Sequence, residues 1–238
     1  MSGVRDAWVY LSASPLLWLT ATLAAYLVGH ALFRRAGRSP LVNPVVVAIV
    51  LLIGLLMLSE TSYRTYFDGA QFVHFLLGPA TVALAVPLYE NMAHVRRALL
   101  PMVAALLAGS ATAVVSAVGI AWALGAGRET VLSMAPKSVT TPIAMGIAEQ
   151  IGGLPSLTAA LVLLTGITGS IMVTPLLNLL RMTDWRARGF AAGVASHGMG
   201  TARAFQVNPI AGTFAGIALG LNALVTSILV PLLITLFG

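Results

Sequence analysis

Eight apolar stretches punctuate the chain, at about 9–33, 41–58, 70–89, 98–124, 131–148, 154–180, 189–202 and 209–237. About 20 residues suffice to carry a helix across a hydrocarbon core of about 30 Å, so most of these stretches predict membrane-spanning helices. The polar segments between them are short, which predicts helices packed as neighbours. The leading MSGVRDAW has one arginine beside an aspartate, and the apolar run after it is too long for the hydrophobic part of a cleaved leader. The pattern predicts a single polytopic all-α membrane domain over residues 1–238.

Composition strengthens that reading. Of 238 residues, 58% are apolar and 8% charged, where soluble domains carry about 25% charged residues. There is no cysteine, so disulfides, thiolate metal sites and cysteine nucleophiles are all excluded. The net charge of +6 is no nucleic-acid signature, because the basic residues sit between apolar runs. Arg34, Arg35, Arg38, Arg96, Arg97, Arg181, Arg186 and Arg188 fall at one set of loop ends, against Arg5, Arg64 and Arg128 at the other. Positive charge favours the cytoplasmic side, which puts the N-terminus outside. Trp8, Tyr10, Tyr63, Tyr66, Tyr89, Trp122 and Trp185 fall near the predicted interfaces.

That orientation exposes an anomaly at 131–152, which must enter and leave on one face if 154–180 ends in the cytoplasm. Its middle, Pro136-Lys137-Ser138-Val139-Thr140-Thr141-Pro142, sets four polar residues between two prolines. Irregular backbone at membrane depth is tolerated only against protein or a wet cavity, so a re-entrant hairpin is predicted. The alternative is that 131–150 simply crosses and the arginine rule fails for one loop. Two further segments read as interrupted helices: 72–88, around Gly78-Pro79-Ala80-Thr81, and 190–205, around Ser196-His197-Gly198-Met199-Gly200-Thr201. Proline removes a donor and disfavours helix before it, although a plain kink is the alternative at Pro79.

Together these elements predict about seven membrane helices plus the hairpin, built as inverted units over 41–124 and 154–237, each with a broken middle helix meeting the other near mid-membrane. Inverted repeats with discontinuous helices are the architecture of secondary transporters. Half-helices starting near Pro79 and Gly200 would aim positive dipole ends at the centre, where anions bind. Lys137 and Arg203 are the basic residues left at membrane depth, each costing about 2.5–3.5 kcal/mol on insertion scales. The candidate anion site is therefore Lys137, Ser138, Thr140, Thr141, Ser196, His197, Gly198, Gly200, Thr201 and Arg203, with Pro79 and Thr81. Two alternatives stand beside it: Glu149 pairing with Lys137 for structure alone, and Arg203 snorkelling to the interface.

No enzyme is expected. Ser196 and His197 are adjacent and would point apart on a helix, His30, His74, His94 and His197 have no metal-ligand spacing, and no phosphate-binding glycine pattern occurs. No cofactor or metal is expected either. Gly212, Gly216 and Gly220 form a small-residue face on the last helix, which predicts close packing, internal or across a homodimer.

The runs LSMAPKSVTTPIAMGIAEQIGG (132–153), GPATVALAVPLYEN (78–91) and SHGMGTARA (196–204) resemble the LrgB/CidB family of bacterial inner-membrane proteins. The likeness spans nearly the whole chain, and the PKSVTTPIA motif is its most specific part. Members were named antiholin-like or murein-hydrolase-export regulators and occur with a small holin-like (LrgA/CidA-like) membrane partner. Plant plastid relatives are glycolate/glycerate transporters, and some bacterial members are linked to pyruvate uptake. The resemblance thus implies two roles: secondary transport of a small monocarboxylate, or control of lysis through the holin-like partner.

Overall fold

A computed structural model describes residues 14–39, 41–76, 79, 82, 83, 86, 89, 92, 96 and 98–237. Among them all regular structure is helical: α1 (Pro15–Arg35), α2 (Pro44–Leu58), α3 (Tyr63–Phe75), α4 (Leu99–Ala123), α5 (Arg128–Met134), α6 (Thr141–Ile151), α7 (Pro155–Leu179), α8 (Trp185–Val207) and α9 (Pro209–Phe237). Four of them, α1, α4, α7 and α9, are long and apolar enough to cross a membrane. The chain divides into two compact units, residues 1–82 and 83–238.

Proline marks where many of these helices start. Pro15, Pro44 and Pro155 are the first residues of α1, α2 and α7, and Pro142 lies in the first turn of α6. A helix's first N–H has no internal partner, so proline loses nothing there and its fixed φ favours the turn. Asn43 caps α2 by accepting from the Val45 N–H at 2.9 Å, and Asn208 does the same for α9 from Ile210 at 2.9 Å.

In unit 1, α1 packs against both α2 and α3 through glycine contacts. A Cβ on Gly29 would collide with the Pro44 carbonyl, and one on Gly69 with the Pro15 carbonyl and Trp18. Trp18 is fully buried, and its ring meets Tyr66 edge-on at 6.0 Å. The Tyr66 hydroxyl lies 3.1 Å from Thr22 Oγ1. This aromatic anchor corrects one boundary: the third helix starts at Tyr63 rather than near 70, so Arg64 and Asp68 lie on a helix and not in a loop. Gly78, Ala80 and Thr81 lie outside the described residues; Pro79 is helical and exposed.

In unit 2, α8 and α9 lie closely side by side. Gly189 and Gly193 of α8 sit against the carbonyls of Ala211 and Ala215 on α9, with no room for a Cβ. The close approach is thus made by glycines on α8. Of the expected face on α9, Gly212 meets the Phe205 ring, Gly216 is 4.0 Å from Thr201, and Gly220 faces open space. Apolar clusters fill the remaining gaps, one around Met102, Leu106, Phe190 and Phe214 and another around Val114, Val139, Val162 and Val230.

Candidate functional site

The stretch from α5 to α7 closes on itself. The Ser133 hydroxyl accepts from the Leu154 N–H at 2.7 Å, and Thr158 Oγ1 donates to the Ser133 carbonyl at 3.0 Å. Gly153 makes this closure possible, since a Cβ there would stand 2.9 Å from the Ser133 nitrogen. Residues 134–152 therefore leave one point and return to it. The chain unwinds after Met134, passes through Pro136–Val139, and turns back as α6 from Thr141. Lys137 sits in this non-helical tip, Thr140 caps α6 and Thr141 is its first residue; Ser138 and Val139 are buried, and Lys137, Thr140 and Thr141 are half-buried. Lys137 Nζ lies 3.5 Å from Ser138 Oγ.

A second unwound point lies within α8. Ser196 has φ −135° and ψ 18°, and His197 has φ 42° and ψ −136°, so two half-helices meet there. A histidine at positive φ occupies a region normally left to glycine, and its side chain holds it in place. His197 Nε2 lies 2.9 Å from the Val162 carbonyl of α7. A carbonyl only accepts, so Nε2 carries the hydrogen. Thr201 Oγ1 donates to the His197 carbonyl at 2.9 Å.

Glycines make space for this break. A Cβ on Gly166 of α7 would lie 2.6 Å from His197 Cε1, and one on Gly169 would overlap the Ser196 side chain. Gly200 is pressed against the Ala192 carbonyl across the break, at 2.6 Å from a built Cβ. The second half-helix thus begins after His197, and Gly200 serves as a packing residue within it. Gly198 is exposed with nothing near it.

Sequence reasoning missed the residue that ties the two breaks together. Asn222 of α9 is 1% exposed and uses its whole side-chain amide. Its Nδ2 donates to the Ser138 carbonyl at 3.3 Å and the Val194 carbonyl at 3.1 Å. Its Oδ1 accepts from Ser110 Oγ of α4 at 2.6 Å and from Thr226 Oγ1 at 3.3 Å. In an unbroken helix the Val194 carbonyl pairs with the Gly198 N–H, but Ser196 and His197 interrupt that turn. The available signal was an amide inside a strongly apolar run, since such groups need partners in lipid. Ser110, Gly166 and Asn222 each lie one residue short of the midpoint of their helix, so the centre sits at mid-height of α4, α7 and α9.

Arg203 lies six residues beyond His197 and donates to Gln206 Oε1 at 3.4 Å in the last turn of α8. Glu149 is exposed near the far end of α6 and does not meet Lys137. Among the described residues, no group of three His, Asp or Glu side chains is placed to hold a metal ion. A groove of about 920 Å³ runs between α4 and the first half of α8, from Met182, Asp184 and Arg186 to Val194 and Ala195 beside the break. Its walls are mostly small, with Ala105, Gly109 and Ala113 on α4.

The profile of the LrgB-like family matches residues 22–236. The chain belongs to this family. It is 35% identical over 216 residues to uncharacterized protein YxaC of Bacillus subtilis (strain 168), covering 91% of this chain and 94% of that one. It is 30% identical over 228 residues to holin-like protein CidB of Staphylococcus epidermidis, covering 96% and 98%. Antiholin-like protein LrgB of Bacillus mycoides (strain KBAB4) is 30% identical over 225 residues, covering 94% and 98%. No solved structure matches the chain. The LrgB-like match includes all three sequence runs quoted above, so both breaks and the chain around them fall within the family's extent.

Proposed function

We propose that this LrgB-like chain is an antiholin-like protein of the bacterial inner membrane, restraining lysis together with a small holin-like membrane partner. What carries the reading is end-to-end similarity to relatives named holin-like CidB and antiholin-like LrgB. The test is expression in a bacterium deleted for its own relatives, with and without the holin-like partner. Detergent-triggered lysis should slow; an unchanged lysis rate, with the protein present in the membrane, would overturn it.

A second reading is favoured by a specific observation: a half-buried lysine, 3.5 Å from a serine hydroxyl, in an unwound tip beside a second unwound segment. Here the chain carries small monocarboxylates such as glycolate, glycerate, lactate or pyruvate. Lys137, Ser138, Thr140 and Thr141 face the substrate anion with His197 and Thr201, and the groove along α8 leads toward them. This reading retains the inverted units 41–124 and 154–237, about seven crossings, the re-entrant 131–152, an outside N-terminus and a homodimer. The arginine distribution and the return of the chain to Ser133 support it. Proteoliposomes holding this protein alone should take up labelled glycolate or pyruvate. Lys137→Met should cut uptake about tenfold, equivalent to about 1.4 kcal/mol, without loss of stability, because no carboxylate is left stranded. Full uptake by a folded Lys137→Met protein would refute the anion site.

A further inference from the structure

We propose that Asn222 is the positioning residue that makes the two breaks, the unwound 135–140 and the turn 194–197 of α8 interrupted at Ser196 and His197, open and close as one. Each segment is irregular backbone inside an apolar bundle, and each exposes a carbonyl that needs a donor. One amide supplies both: Nδ2 has two hydrogens, and they go to Ser138 on one segment and Val194 on the other. The amide cannot turn over without presenting oxygen to both carbonyls. Two hydroxyls hold it in that sense by donating to Oδ1, Ser110 at 2.6 Å and Thr226 at 3.3 Å. All four hydrogen-bonding positions of the side chain are therefore filled.

The arrangement has a mechanical consequence. Moving the tip at Ser138 away from α9 withdraws one hydrogen from its acceptor, and the amide loses its reason to stay aligned with Val194. Releasing the α8 break does the same in reverse. The helices α4 and α9 that carry the latch are continuous through it, so the moving parts are the two unwound segments alone. The assignment rests on reading these breaks as the working centre. It is tested with no substrate present, so a failed transport assay and a failed latch are told apart.

The experiment is hydrogen–deuterium exchange by mass spectrometry on the full chain in nanodiscs. Asn222→Leu keeps the volume and removes every hydrogen bond of the amide. Exchange in peptides covering 135–140 and 194–199 should rise together, about tenfold, while the flanking parts of α4 and α7 stay protected. Ser110→Ala removes only the shortest tie to Oδ1 and should give the same paired rise at smaller size, about threefold. It also decides the matter should Asn222→Leu fail to fold. A rise in one segment without the other, no rise in either, or a uniform rise along all helices would overturn the proposal.

Discussion

Gly166→Ala should be more damaging than a single methyl group suggests. The added Cβ would stand 2.6 Å from His197 Cε1, 2.8 Å from its Nε2 and 2.5 Å from Met199 Sδ. The thioether can swing aside, but the imidazole is bonded to the Val162 carbonyl at 2.9 Å and stands on a backbone at positive φ. Overpacking of this kind costs about 1–3 kcal/mol. Loss of the Val162 hydrogen bond adds about 1 kcal/mol, and replacing a helical glycine returns about 1 kcal/mol. The net is about 1–3 kcal/mol, a fall of roughly 2–12 °C in melting temperature for a chain of this length. Tryptophan-fluorescence melting in detergent reads it directly. Gly119→Ala is the matched control, because nothing lies within 4 Å of its Cβ; it should melt at or above the parent. Gly166→Ala melting with the control would refute the reasoning, as would its full rescue by Met199→Ala, which would place the clash on the thioether and not the ring.

Other consequences follow from the same contacts. Gly193→Val should destabilise the α8–α9 pair strongly, because its Cβ meets the Ala215 carbonyl, whereas Gly220→Val should leave detergent elution and melting unchanged. Asp184 caps α8 by accepting from the Arg186 N–H at 2.8 Å, and the Arg186 side chain holds its carboxyl at about 2, below the usual 3.8. A depressed carboxylate stabilises above its unfolded value and loses that contribution as pH falls through the folded one. Asp184→Ala should therefore lower the melting temperature at pH 4 and above, with the gap to the parent closing as pH drops toward 2. Cysteines placed at Ser39, Ala98 and Ala187 should react with an impermeant maleimide only from the cytoplasm, and one at Gly127 only from outside; labelling of Ala187 from outside would overturn the re-entrant hairpin and the inverted repeat with it.

What was legible in the chain depended on how local its cause was. Apolar runs located α2, α4, α7 and α9 to within three residues, and α1 less closely, starting at Pro15 where the run starts at about 9, since each must be apolar all along to sit in lipid. The breaks at 135–140 and 196–197 were also legible, because proline, glycine and clustered polar side chains act on their own backbone. The start of α3 was not, because Tyr63–Asp68 is polar enough to read as a loop and becomes helical by docking Tyr66 on Trp18 and Thr22. Asn222 was missed for a related reason: its partners on other elements lie 112, 84 and 28 residues away. Gly166 and Gly169 likewise read as ordinary helix glycines until Ser196 and His197 are laid against them.

The place of Asn222 in the chain also bears on how the protein is made. It lies on α9, after every residue it joins across helices, so a ribosome delivers Ser110, Ser138 and Val194 to the membrane before their common partner exists. Until α9 enters, the Ser138 and Val194 carbonyls and the Ser110 hydroxyl must be served by water or by passing neighbours, in a medium that punishes unpaired polar groups. The nascent bundle is thereby kept wet and loosely closed at its middle. Docking of α9 is the event that supplies the common partner, dries the centre and shuts it.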